Sequence, residues 1–112
     1  MNIVVLRGTL SSDAVQRSLP SGDWFVTYEV TTRDGENGAR SVPVSLQRGD
    51  APLLAKGTEV VVLGSVRRRY FAANGATGSR TEVQAIDVLR GSAAKKIEKA
   101  LQKVANDLIS VD

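Results

Sequence analysis

Glu59-Val60-Val61-Val62-Leu63-Gly64-Ser65-Val66-Arg67-Arg68-Arg69-Tyr70-Phe71 reads as a single long β-strand, bent sharply where Gly64 interrupts a run of β-branched residues. Downstream, Asn74 to Ser79 is rich in glycine and predicts a hairpin loop, after which Arg80 to Leu89 returns as the partner strand. Upstream, Asp50 to Lys56 is the one place before the C-terminal region for a helical turn, with Pro52 in its first turn and Gly57 as its stop.

Working back to the N-terminus, the pattern stays β. Asn2 to Leu10 is rich in Val, Ile and Leu and ends in the turn cluster Ser11-Ser12-Asp13, and Val15 to Leu19 is a short continuation. Pro20 to Asp23 is a turn. From Trp24 to Thr32 the residues alternate: Trp24, Val26, Tyr28 and Val30 share one face, Phe25, Thr27, Glu29 and Thr31 the other. Arg33 to Ala39 predicts a flexible loop. Arg40 to Gln47 alternates again with Val42, Val44 and Leu46 inward, and Pro43 predicts an edge or a bulge because it cannot donate to a ladder. Three strands, a short helix and two strands is the order of the five-stranded Greek-key barrel called the oligonucleotide-binding fold. The fold class is therefore mainly β.

Past Gly91 the chain changes character. Ser92 is the expected N-cap of an amphipathic helix whose apolar seam is Ile97, Leu101, Val104, Leu108 and Val111. Such a short seam needs a docking surface, which could be the barrel, a second copy or a partner protein. The cations divide at the same point. Up to Gly91 all but Lys56 are Arg, whereas every basic residue beyond it is Lys. Arg suits planar stacking and phosphate forks, and Lys suits a solvated helix face. Two units are expected: residues 1–91 as the binding barrel and 92–112 as the helix.

Composition removes several functions. The chain of 112 residues contains no Cys and no His, so thiol nucleophiles, imidazole bases and the usual zinc ligands are missing. Its twelve acidic residues are scattered, with no recognisable catalytic pair. No catalytic residue, metal ligand or cofactor is expected. The opening segment lacks a basic region before its apolar run and does not read as a signal peptide, and no stretch has the length of a membrane span. Together with the missing cysteines this predicts a cytoplasmic protein.

The candidate contacts centre on Arg67 to Phe71. In a strand, Arg67, Arg69 and Phe71 project to one side, a comb of cations and a ring suited to holding phosphates and stacking bases of single-stranded nucleic acid. The plainer alternative is a solvated barrel rim. Tyr70 belongs to the same segment. Trp24 and Tyr28 lie on the apolar face of their strand and default to the core, although Trp24, beside a turn, could be half exposed and stack. Phe25 is a candidate contact on the polar face. Arg33 and Arg40 flank the loop as a basic arm or simply as solubilising charge, and Arg48 and Arg80 carry weaker signals.

The run Asn2 to Leu10, then Asp13, Arg17 and Pro20-Ser21-Gly22, resembles the opening of bacterial single-stranded DNA-binding proteins. Lys56-Gly57-Thr58-Glu59-Val60, then Gly64, Val66, Arg67 and Arg69, is similar to that family's entry to the fourth strand, and Thr81-Glu82-Val83 to its last strand. The resemblance implies a barrel that assembles, as a dimer or tetramer, and wraps single-stranded DNA without sequence preference in replication, repair and recombination, with its stacking ring at Phe71. RNA offers the same contacts and stays open as a partner. Rings of the family near Arg40 and near Leu46 or Gln47 have no counterpart here. The family's flexible tail with an acidic, Phe-ending tip is likewise replaced by the Lys-rich helix, which implies an accessory form. The competing expectation is an adaptor with weak or no DNA binding, which assembles or recruits a protein through Ile97, Leu101, Val104 and Leu108.

Overall fold

Alternation along the strands closes the molecule around its core in the computed structural model, which describes residues 1–110. The elements in chain order are β1 (Val4–Leu10), β2 (Val15–Ser18), β3 (Trp24–Arg33), a 3-10 turn (Gly35–Asn37), β4 (Ala39–Leu46), β5 (Glu59–Ala73), β6 (Ala76–Arg90) and α1 (Ala94–Ile109). Val111, the last position of the expected seam, and Asp112 lie outside the described residues.

The strands are ordered β1-β5-β6-β4-β3-β2, and β1 also pairs with β3 through Thr9↔Thr31 and Leu10↔Val30. That extra pairing closes a barrel of β1, β5, β6, β4 and β3. β2 takes over from β1 along the same edge of β3, from Val15↔Thr27 to Ser18↔Trp24, and so continues β1 as the sequence suggested. β4 and β6 are joined by a short parallel pairing at Val44↔Val83 and Ser45↔Gln84. Pro43 pairs in register with Glu29 on one side, while the β6 pairing begins only at Val44. Its missing N–H thus falls on a local edge, one of the two expected situations.

The interior is filled by Leu10, Val26, Tyr28, Val30, Val44, Leu46, Val60, Val62, Val83 and Val88, all buried. Each such aliphatic side chain contributes about 1.5–3 kcal/mol through burial. The Tyr28 hydroxyl donates to the Pro52 carbonyl at 2.7 Å, and Leu54 joins the core from the 47–58 connection.

That connection is where the sequence reading needs correction: residues 50–56 form no helix. Their backbone groups find partners in neighbouring segments instead. Ala14 N–H donates to Leu54 O at 2.9 Å, and Lys56 N–H donates to the Asp13 carboxylate at 2.7 Å. A helix this short closes few internal hydrogen bonds, so an extended path that buries Leu54 wins. The only short helical turn among the described residues is at Gly35–Asn37, inside the segment expected to be a loop.

The β5–β6 pairing is irregular at the position of the predicted bend. Leu63 pairs with Asp87 and Gly64 with Ala85, so the extra residue of the bulge is Ile86 of β6, and a Cβ at Gly64 would stand 2.3 Å from the Gln84 carbonyl oxygen. Beyond the bulge, β5 and β6 run on as an arm from Val66↔Val83 to Ala73↔Ala76. Its tip is a two-residue Asn74-Gly75 turn with φ of 52° and 79°, shorter than the expected 74–79 loop. Asn-Gly is the pair that tolerates positive φ at both central positions of a hairpin turn.

α1 lies against the outside of β5 and β6. Its N-cap is Ala93 rather than Ser92, with no side-chain capping bond. The expected seam is divided, with Ile97 and Val104 partly buried. A groove of about 590 Å³ between helix and barrel is lined by Leu63, Ile86, Leu89, Ala100 and Val104, with lysines at its rim. Leu101 and Leu108 remain exposed, and no residue of α1 is buried. No helix among the described residues is long and apolar enough to cross a membrane.

Candidate nucleic-acid interface

The side of each strand that faces away from the core brings several cations and rings to one surface. Opposite the inward Val26, Tyr28 and Val30, strand β3 presents Phe25, Thr27, Glu29 and Thr31 outward. β2 contributes Arg17, directly paired with Phe25, and the Arg17 Nε donates to the Thr27 hydroxyl at 3.2 Å. On the arm, Arg67, Arg69 and Phe71 of β5 stand opposite Glu82, Arg80 and Gly78 of β6. The predicted comb is therefore one row on one face, as its two-residue spacing requires.

The arm leans over β3. The Arg69 guanidinium sits 5.8 Å from the centre of the Phe25 ring, and Arg80 reaches Glu29 at 3.1 Å. The second Glu29 oxygen accepts from the Ser41 hydroxyl at 3.2 Å. Glu82, only 8% exposed, accepts from Arg69 Nε at 3.1 Å, and the same oxygen stands 3.0 Å from Arg69 Nη2 as an ion pair. Arg69 and Arg80 face each other across the strands, an arrangement that like charges would oppose. Glu82 and Glu29 offset that repulsion by taking one guanidinium each. Among the described residues Arg67 makes no ion pair, so it carries the uncompensated charge of the comb.

Phe71 is 48% exposed and lies across its cross-strand partner, since a Cβ at Gly78 would come within 2.8 Å of two ring carbons. One ring face rests on backbone and the ring stays accessible to solvent. This is the geometry of a stacking platform.

Other candidates lie apart. Tyr70 is 68% exposed but projects from the opposite side of the arm, paired with Ser79. Trp24 alternates with Phe25 and packs, half-buried, against the core, the default its apolar face implied. Arg33 and Arg40 sit at the far end of the β3–β4 hairpin, where Arg33 borders a cleft with Arg7 and Glu59. Arg48 is structural. It pairs with Asp50, holds Asp87 at 3.1 Å and donates to the Ile86 carbonyl at 2.7 Å. The hydrogen bond to Asp50 is the main cause holding the Arg48 pKa above its ordinary value. Sequence reasoning missed Glu82, Glu29 and Gly78 as parts of this surface. A signal for Glu82 existed in the Thr-Glu-Val opposite an arginine comb, but its meaning depends on register.

No group of three or more Asp, Glu, His or Cys among the described residues could hold a metal ion. No protein-family model matches the sequence, and no curated protein matches it. Solved structures do. One that matches is a single-stranded DNA-binding protein of Plasmodium falciparum in complex with single-stranded DNA, with a TM-score of 0.64 at 20% identity, covering 80% of this chain and 94% of that one. The chain has the fold of a single-stranded DNA-binding protein. The oligonucleotide-binding barrel read from strand order is thereby established, with α1 added outside it.

Proposed function

We propose that this barrel binds single-stranded DNA, without catalysis and with little regard to sequence, on the face formed by the β5–β6 arm and β3. The observation that carries the reading is the row of Arg67, Arg69 and Phe71 facing Phe25 and Arg80 across the strands. Cations that track a backbone and rings that accept any base give affinity without base-edge readout. The likeness to a barrel solved with single-stranded DNA supports the same ligand. Trp24, Arg33 and Arg40 then act at the periphery, if a longer strand reaches them.

Fluorescence anisotropy of a labelled oligo-dT strand tests the reading directly, because Trp24 lies away from the face. Binding at low salt that weakens steeply with added salt is expected. No binding at low salt would sink it. Parallel titrations with oligo-rU and duplex DNA fix the class of nucleic acid.

A second reading, an adaptor that recruits a protein or a second copy of the chain, is favoured by the groove under α1 and by exposed Leu101 and Leu108. It predicts that deleting residues 92–112 changes assembly mass or abolishes partner capture.

A further inference from the structure

The arginines of the comb are not equivalent. Arg67 is exposed and makes no ion pair among the described residues, whereas Arg69 is held by Glu82 with its guanidinium 5.8 Å from the centre of the Phe25 ring. A phosphate drawn to Arg69 would meet the Glu82 carboxylate beside it. Pulling Arg69 away would instead leave Glu82, with its side chain 10% exposed, as a poorly solvated unpaired charge. Both outcomes disfavour a phosphate clamp at this position. What the pair does offer is a planar group of near-zero net charge, held beside a ring and 40% exposed. Bases stack on guanidinium planes as they do on aromatic rings.

We infer that Arg69, positioned by Glu82 over Phe25, is a base-stacking platform next to Phe71, and that Arg67 supplies the phosphate contact. This rests on the single-strand reading above and assigns the roles within it. It also accounts for how a face with few rings offers more than one stacking surface. Phe25 and Phe71 are the aromatic residues on it, because Tyr28 and Trp24 belong to the core side and Tyr70 to the other side of the arm.

Lysine keeps the charge of arginine and loses the plane, so Arg69→Lys separates the two roles while retaining a partner for Glu82. Oligo-dT titrations over a range of salt are expected to show Arg69→Lys weakened by roughly 5- to 100-fold, the size of one stacking contact. Its salt slope should match the parent's. Arg67→Lys should bind nearly as the parent does, and Arg67→Ala should have a slope shallower by about 0.7, one phosphate on a single strand. Glu82→Gln should steepen the slope by about as much, because it uncovers the Arg69 charge. A merely structural glutamate would leave the slope alone.

Arg69→Lys binding like the parent, with Arg69→Ala losing salt dependence, would overturn the inference and make Arg69 a phosphate contact. An unchanged slope in Glu82→Gln would overturn the role given to Glu82, and Arg69→Lys still decides the platform if Glu82→Gln fails to fold. A parent protein that ignores oligo-dT removes the binding reading itself and the inference with it, an outcome distinct from a parent that binds and an inert Arg69→Lys.

Discussion

A methyl group at position 78 has no room beneath Phe71, because it would stand 2.8 Å from two ring carbons. Gly78→Ala should therefore tilt the ring off its seat and weaken oligo-dT binding by about 3- to 30-fold, part of one stacking contact. Phe71→Leu, which keeps bulk without a π-face, should weaken it similarly. Thermal unfolding of both variants close to that of the parent would locate the loss in the site. Tyr28 makes a prediction of another kind. Burial pushes its hydroxyl pKa up to about 12, against a smaller opposing effect of Arg48. The folded state thus favours the neutral phenol, and its contribution is complete below the ordinary value near 10 and lost as pH rises towards 12. Urea midpoints should fall over that window by the equivalent of about 2–3 kcal/mol. Tyr28→Phe, which cannot ionise, should lack that fall while losing the bond to Pro52 at all pH values. At this scale the sequence was a partial guide. Strand alternation placed Tyr28 inward and set the comb on one side, because period-two patterning is local. The ion pairs of Arg69 and Arg80 depend on β5–β6 register and on how the arm leans over β3, which no local pattern encodes.

Among the elements, the arm carries the proposed site and its own turn holds it in register. Gly75 has φ of 79°, where a side chain is strained. Gly75→Ala should loosen the tip by about 1 kcal/mol, seen as faster amide exchange across Val66 to Val83 while exchange in β1 and β3 is unaffected. Equal acceleration everywhere would mean that the arm and barrel unfold as one unit. The turn was legible as a glycine-rich hairpin but not in length, since Gly75 and Gly78 both looked like loop residues. Gly78 proved to be a strand position emptied for a ring. Residues 50–56 misled for the opposite reason. Pro52 and Gly57 look like helix punctuation, but the backbone bonds with Asp13 and Ala14 come from far along the chain. In α1 the apolar spacing identified a helix correctly. Of the seam residues Val104 lines the groove, and the lysine stems at 96, 99 and 103 that line it beside Val104 carry no apolar signal in the sequence.

The molecule as a whole divides its work between two sides of one long hairpin. The half of β5 and β6 within the barrel carries α1 on its outside, and the half beyond Gly64 carries the comb. The core draws on the strands and the 47–58 connection, and no residue of α1 is among its members. Deleting residues 92–112 should accordingly leave a folded barrel. It would uncover Leu63, now 1% exposed on the outer wall, and lower the melting temperature by a few degrees, consistent with about 1–2 kcal/mol for one lost apolar contact. Because the groove under the helix is lined by none of Arg67, Arg69, Phe71 or Phe25, oligo-dT affinity of the truncated barrel should stay within about twofold of the parent, as expected for well-separated sites. The salt slope discriminates further. α1 holds four lysines, and a strand continuing from the arm onto the helix would lose slope on truncation by about 0.7 per phosphate released. An unchanged slope confines the DNA to the arm and β3 and leaves the helix groove to another partner, whereas a shallower slope makes α1 part of the binding path.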